Sequence, residues 1–557
     1  MNYRAFALAA ILLAGAALAA QQKPAAIERP ETILVNGKIL SADAKFTIHE
    51  ALAIRGDHIL AAGATSDIRA LADAKTRIID LGGRTVIPGL TDSHMHAIRA
   101  GLSFATEVHW IGAPTIENAI SRLRDASKRM PAGSWLVVAG GWTERQFADK
   151  RRPTQKELVA AVPDNPVYVQ LGYQWALMTP KALDALKIAR DEDLPPGGKL
   201  ERDGNGALTG AVVGPQSVIV ALFDRLPKPT YEQKVEGTKK FFLELNRLGL
   251  TGVIDPGGNN ITAPDYEALF DVWRQNQLTV RVAFSFGSQG NGGEFDEITE
   301  PALKLPVGFG DNMLRFNGVG ERITGGMYNN DKPTTAEKEA FEVIALWAAQ
   351  RGLGLTVHWG NDASVGQLLE VFDHVNVQVP IAPLRWSIAH LNDASFDTLT
   401  HMKKLGVGWA MQDAMYFNGD ATIRQRGPAA RRIPPIETAR KLGVVIGAGT
   451  DAHRVASYNP FTCLQWLLDG KTVEGIAMRA AEERPTREDA LRLYTRGSAW
   501  FAHADDRRGT LEVGKLADLA VLTKDYMAVP VEQIGSIESL MTMVGGKVVY
   551  AAPPFSK

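Results

Sequence analysis

With one cysteine in 557 residues, the chain can form no internal disulfide. Cys463 stands in the apolar run Phe461-Thr-Cys-Leu-Gln-Trp-Leu-Leu, where a thiol reads as a small buried hydrophobe and not as a nucleophile. Charge of either sign is also missing as a feature. Sixty-one basic residues nearly cancel sixty-two acidic ones, and no long run of one sign occurs. This balance gives no footing for nucleic acid or for a polybasic membrane surface. Low-complexity tracts are absent, and no segment reaches the roughly 20 apolar residues a membrane-spanning helix needs. What remains is an ordinary globular composition, 45% hydrophobic, on a chain long enough for more than one domain.

The first residues differ from the rest. Arg4 precedes an apolar stretch from Ala5 to Ala20 with an Ala-x-Ala site at Ala17 and Ala19, then polar Gln21-Gln22. A basic start, a short apolar core and a small-residue site predict a secretory signal peptide over 1–20. The mature chain is therefore expected outside the cytoplasm, periplasmic or extracellular, with no stable membrane anchor.

Ligand-type side chains recur at the ends of apolar runs. His94 and His96 stand in Gly89-Leu-Thr-Asp-Ser-His-Met-His, His358 ends Gly352-Leu-Gly-Leu-Thr-Val-His, and His390 ends Leu384-Arg-Trp-Ser-Ile-Ala-His. Asp451 closes Val444-Val-Ile-Gly-Ala-Gly-Thr-Asp. A single strand-end histidine is more often a satisfied core residue, but recurrence after several separate runs, in order, is not explained that way. On a strand His94 and His96 would project to one face, as two ligands of one ion must. Imidazole nitrogen and carboxylate oxygen suit zinc and similar divalent ions.

Strand signals crowd both ends of the chain. Ile33-Leu-Val-Asn-Gly-Lys-Ile-Leu predicts a hairpin at Asn36-Gly37. Leu519-Ala-Val-Leu and Met541-Thr-Met-Val-Gly-Gly-Lys-Val-Val-Tyr have the same character. Together they predict a composite β-sandwich from 31–86 and 507–552. Between them strands alternate with helical patterns, as in Lys338–Gln350, where Phe341, Ile344, Ala345 and Ala348 fall at helical spacing. The fold class is therefore α/β, a (β/α)8 TIM-type barrel over 87–97 and 246–506. In such a barrel the strand C-termini carry function. The gap after the first strand is too long for a loop and predicts an inserted α/β subdomain over 98–245.

At this level the chain resembles the amidohydrolase superfamily, in its amidohydrolase family 3 (YtcJ-like) branch. The resemblance runs over nearly the whole mature chain. It is carried by Thr85-Val-Ile-Pro-Gly-Leu-Thr-Asp-Ser-His-Met-His, by Gly140-Gly-Trp and Ala161-Val-Pro-Asp-Asn-Pro in the insertion, by His358 in His-Trp-Gly-Asn-Asp, by Gly449-Thr-Asp451, and by the tail Gly509-Thr-Leu-Glu-Val-Gly-Lys-Leu-Ala-Asp. It implies a barrel with one or two divalent ions, usually zinc, that hydrolyses C–N bonds. Many relatives bridge two ions with a carbamylated lysine on the fourth strand. This chain has Arg315 there, which can neither take up carbon dioxide nor ligate a cation. Lys304, upstream, reads as solvated. Glu321 is the candidate substitute, against the plainer reading of a glutamate paired with Arg322.

The expected metal ligands are thus His94, His96, His358, His390, Asp451 and Glu321. His390 serves either a second ion or the developing oxyanion, and Asp451 serves as general base and then acid. His453 could orient that transfer, although a loop role is the plainer one. Gln412, Tyr416 and Trp359 could line the pocket or the core. The chemistry expected is hydrolysis of an amide, formamide, carbamate or cyclic amide in a small molecule. Two alternatives compete: a mononuclear deaminase of the same superfamily, and a non-catalytic exported binding or regulatory protein. Deaminases usually place a glutamate shortly after the fifth-strand histidine, where this chain has Asn361-Asp362. A homo-oligomer is compatible with everything read here.

Overall fold

The computed structural model describes residues 29–556 apart from 291, 306 and 307; the expected signal peptide lies outside the described residues. Eight parallel strands form the central sheet: β1 (Leu90–Asp92), β2 (Leu250–Asp255), β3 (Arg281–Phe286), β4 (Leu314–Val319), β5 (Gly354–Trp359), β6 (Ser387–His390), β7 (Gly408–Gln412) and β8 (Ile446–Gly449). Each pairs with its sequence neighbour. The sheet curls back on itself just beyond β1, where the Ser93 amide donates to Ala448 O (3.0 Å) and the Asp451 amide to His94 O (2.9 Å). This is the (β/α)8 barrel.

The barrel interior is filled, not hollow. Ile254, Ala283, Ala389 and Ala410 point inward onto Phe501 and Ala502, which plug the end opposite the strand C-termini. A Cβ on Gly447 would lie 2.6 Å from the Phe501 ring, so β8 needs glycine there. Outside, helices such as Thr335–Gln350 bury Phe341, Ile344, Ala345 and Ala348 against the strands. That helix starts on a capping box in which Thr334 and Glu337 satisfy each other's backbone amides.

Two further sheets come from the chain ends. A six-stranded sheet runs 547–551, 539–544, 519–522, 85–88, 38–40, 48–49, and so draws on both termini; a four-stranded sheet holds 58–63, 51–55, 32–35 and 77–80. Leu34, Leu52 and Ile79 of the smaller sheet share a core with Ile39, Val86, Leu519 and Met541 of the larger. The predicted hairpin at Asn36-Gly37 is not formed. Strand 32–35 pairs within one sheet and 38–40 within the other, so this turn passes the chain between sheets.

Between β1 and β2 lies a five-stranded sheet in the order 199–202, 208–213, 175–178, 167–171, 136–138, with an apolar cluster on each face. The amphipathic helix Ile116–Arg129 buries Ile116, Ala119, Ile120 and Leu123 there. The 98–245 span is nevertheless not all insertion. Helices α1 (Ala97–Phe104) and α2 (Tyr231–Arg247) pack their apolar faces (Ile98, Ala100; Phe241, Phe242, Leu245) into the barrel's own core. The chain leaves and rejoins the barrel through this helix pair.

Candidate metal centre

All the candidate ligands meet at the C-terminal mouth of the barrel. His94 and His96 lie just past β1, not on it as the sequence pattern predicts. Their segment keeps the strand's alternation, because the Ser93 amide bonds to the β8 side and the Met95 amide to Ile254 O of β2 (3.0 Å). Both imidazoles therefore still turn inward. Asp92 braces the turn, its carboxylate taking the His94 amide (2.9 Å) and the Thr450 hydroxyl (2.8 Å), which ties the ends of β1 and β8 together.

His96 is held for coordination. Its Nδ1 lies 2.6 Å from Gly257 O and donates to it, which leaves Nε2 as the free lone pair. Asp255 shapes that carbonyl's loop by accepting the Gly257 amide (2.8 Å) and the Ile98 amide (2.7 Å). His390 ends β6 in the left-handed region, with φ 69°. Gln412 Oε1 accepts its amide (2.9 Å) and the Trp409 indole donates to its carbonyl (2.7 Å), so β7 pays for that backbone. Asp451, at φ 56°, is held the same way by its bond to His94 O.

Glu321, two residues beyond β4, sits at the centre. The Gly320 amide donates to Phe286 O (3.0 Å) and the His358 amide to Glu321 O (3.0 Å), fixing the loop between β3 and β5. Its Oε1 lies 2.7 Å from His358 Nδ1, 3.2 Å from His390 Nε2 and 3.6 Å from His94 Nε2, and its Oε2 lies 3.3 Å from His96 Nε2. Asp451 Oδ1 lies 3.1 Å from His96 Nε2 and 3.7 Å from His94 Nε2. Two ligand triads result, His94–His96–Glu321 and Glu321–His358–His390, each with its donor atoms within 4.8 Å of one another.

Burial alone would raise the Glu321 carboxyl, but the charge of His96, hydrogen bonds from His358 and His390, and the nearby His94 ring hold it well below the usual range. Asp451 is likewise lowered, burial being outweighed by the bond to His96 and the charges of His390, His96 and His94. Four imidazoles and two ionised carboxylates converge, and both ring nitrogens of fully buried His94 lack a partner. Such a donor set fits a divalent cation, which would take up the orphaned lone pair.

Other residues singled out by the sequence have structural work. Gln412 is buried and holds His390, not substrate. Trp359 is fully buried and donates to Ser364 Oγ (3.0 Å). Tyr416 lines a different cavity, with Ser457 and Tyr458. His453 is buried against Glu107 (3.1 Å), which also takes Arg454 (2.9 Å). Burial and Arg454 push His453 down to about 4, so this imidazole stays neutral. Asn361 caps the helix Asp362–Gln378 and Asp362 accepts the Ser395 amide, so neither supplies a deaminase's carboxylate. Lys304 is exposed, and Arg315 lies in a small cavity with Arg281 and Arg507, among residues from the start of β4. The sequence reading missed Tyr328, which stacks on His358 with ring centroids 4.6 Å apart; a loop tyrosine carries no signal for that.

A parallel barrel with histidines and carboxylates clustered at its mouth defines a metal-dependent hydrolase. The amidohydrolase family model matches residues 77–550, and the chain belongs to that family. It is similar to an N-substituted formamide deformylase of Arthrobacter pascens, 23% identical, with 93% of this chain and 98% of the relative covered. The putative amidohydrolase YtcJ of Bacillus subtilis is 21% identical over 86% of this chain and 91% of its own length. Among solved structures, an uncharacterized metal-dependent hydrolase from Pyrococcus horikoshii superposes with a TM-score of 0.65 at 23% identity, covering 90% of this chain and 99% of that one. The enzyme class is that of metal-dependent hydrolases acting on C–N bonds other than peptide bonds.

Proposed function

We propose that this enzyme cleaves the C–N bond of a small-molecule amide, formamide, carbamate or cyclic amide at a two-ion centre bridged by Glu321. The observation that carries this reading is the pair of ligand triads sharing that one carboxylate. Glu321 takes the place that a carbamylated lysine holds in many relatives, and zinc suits the nitrogen-rich donor set. His94 and His96 would hold one ion and His358 and His390 a second, with Asp451 beside the first. Divalent ions bound there supply Lewis acidity, polarising a carbonyl and bringing the pKa of water toward neutrality.

The residues then divide the proton work. Asp451 takes a proton from the attacking water as the water oxygen bonds to the acyl carbon. It returns that proton to the nitrogen as the C–N bond breaks, leaving an acid and an amine. A carboxylate is ionised at neutral pH and so can accept a proton in the first half of that cycle. The similarity to a formamide deformylase puts N-substituted formamides first on a substrate panel.

The test joins metal analysis to that panel. Asp451→Asn keeps size and one oxygen ligand, so it should retain most metal and lose about 10²–10⁴-fold in turnover. Near-wild-type turnover would remove Asp451 from the mechanism, and complete metal loss would make it chiefly a ligand. Export is proposed on the Arg4–Ala20 pattern alone; an intact Met1 on active enzyme would overturn it.

A further inference from the structure

Beside the metal centre a cavity of about 370 Å³ opens between the barrel mouth and the inserted sheet, within the size range of small-molecule sites. Its wall carries six charged side chains: Arg99, Asp224, Lys228, Lys234, Asp265 and Arg454. Five of them are spoken for. Lys228 pairs with Asp224 (2.8 Å), Lys234 with Asp265 (3.5 Å) and Arg454 with Glu107 (2.9 Å). Arg99 makes no ion pair among the described residues, and its Nε is buried without a hydrogen-bond partner. Asp255, whose charge Arg99 feels, has committed one oxygen to the Ile98 amide and the other to the Gly257 amide.

Arg99 is also close to the chemistry. A Cβ on Gly258 would lie 2.8 Å from the His96 ring and 3.6 Å from Arg99 Nη1, so one glycine separates the guanidinium from a metal ligand. Gly258 has φ 132°, and its lack of a side chain keeps that gap open. On the same rim, Asn259 lines the cavity and accepts from Arg322 Nη1 (2.9 Å). Arg322 likewise has a buried Nε without a partner and no ion pair among the described residues. Its guanidinium lies over the ring of Tyr328 (5.2 Å), the residue stacked on His358.

A half-buried guanidinium with spare donors, facing a cavity whose other charges are neutralised, is built to receive an anion. We propose that Arg99 binds a carboxylate of the substrate, so that this enzyme takes amides bearing an anionic group a few bonds from the scissile nitrogen, as in an N-acyl-α-amino acid. This rests on the hydrolytic reading above and names its substrate class. The nearness of Arg99 to the His96 ring sets the spacing, favouring a carboxylate only a few bonds from the scissile amide.

The test separates recognition from turnover. N-formylphenylalanine and N-formyl-2-phenylethylamine differ only by the carboxylate. Their affinities are measured by calorimetry on the metal-loaded Asp451→Asn protein, with and without Arg99→Leu or Arg99→Lys, and their kcat/KM values on the wild type. The carboxylate compound should bind about 10- to 100-fold more tightly, as expected for hydrogen bonds to a charged group. Arg99→Leu should erase that preference, Arg99→Lys should keep part of it, and the neutral compound should bind both variants as before. Equal affinities, a preference untouched by Arg99→Leu, or no binding of N-formylphenylalanine at millimolar concentration would each overturn the proposal. Preferential binding without cleavage of any amide on the panel would instead overturn the hydrolytic reading and leave the carboxylate site standing.

Discussion

Two buried clusters in this molecule use the same materials to opposite ends. Glu107, His453 and Arg454 join the inserted segment to the loop after β8: one carboxylate, one guanidinium and one neutral imidazole, with the Glu107 side chain only 3% exposed. Arg454 spreads its remaining donors over Ala139 O and Ser103 Oγ. Charge is balanced there without any guest, with only His453 Nδ1 left unpartnered, and the cluster works as a fastener. Around Glu321, two carboxylates face four imidazoles, fully buried His94 has no partner, and His390 and Asp451 sit at positive φ. That arrangement is one a divalent cation would complete. Histidine and carboxylate together do not mark a metal site; an unfilled donor set held in place by surrounding structure does.

The comparison can be broken most directly by removing His94 and His96. The double alanine variant should lose most of its metal and with it all measurable turnover, while Glu107→Gln should leave metal content unchanged. Metal analysis of both proteins decides it, and unaltered stoichiometry in the double variant would mean that the ligands lie elsewhere.

Glu107→Gln should instead cost stability, about 3–5 kcal/mol, because it strands the Arg454 charge in the interior. The pH dependence follows from the Glu107 carboxyl, where burial alone would raise the pKa but Arg454 and His453 outweigh it and hold it far below the ordinary glutamate value of 4.5. A lowered folded-state pKa gives stability that is complete above the unfolded value and is lost as pH falls from there through the folded one. The gap between wild type and Glu107→Gln in urea melts should therefore be widest near neutrality and shrink below pH 4.5. A gap that does not change with pH would mean that the fastener is not electrostatic.

The smallest effect is the sharpest check on the deaminase alternative. Asn361→Ala removes a helix cap and should cost about 1 kcal/mol with turnover and metal unchanged. A collapse in activity would show that the loop after β5 takes part in the chemistry.

The barrel was legible because apolar runs alternated with helical periods, and His94, His96, His358, His390 and Asp451 because each follows such a run. Strand ends are a one-dimensional signal for the mouth of a barrel. The register of the chain ends was less legible: Asn36-Gly37 has the composition of a hairpin turn, yet the strands on either side find partners in different sheets, and strand pairing is a long-range choice. The outer parts of the 98–245 span misled for a related reason. Helices α1 and α2 are distant in sequence and meet only because both bury their apolar faces on the barrel.

Local pattern, then, determined the barrel architecture, the five strand-end candidate ligands and, through the single cysteine, the exclusion of an internal disulfide. Tertiary structure alone decided the rest. Glu321 beside Arg322 reads equally well as a surface ion pair, and only the convergence of β3, β4 and β5 carries it in among four histidines. His453, two residues from Asp451, looks like a site residue until the inserted segment brings Glu107 to it. Arg99 bears no mark in the sequence, because a charge is unpaired only with respect to neighbours, and those are set by the closing of the fold.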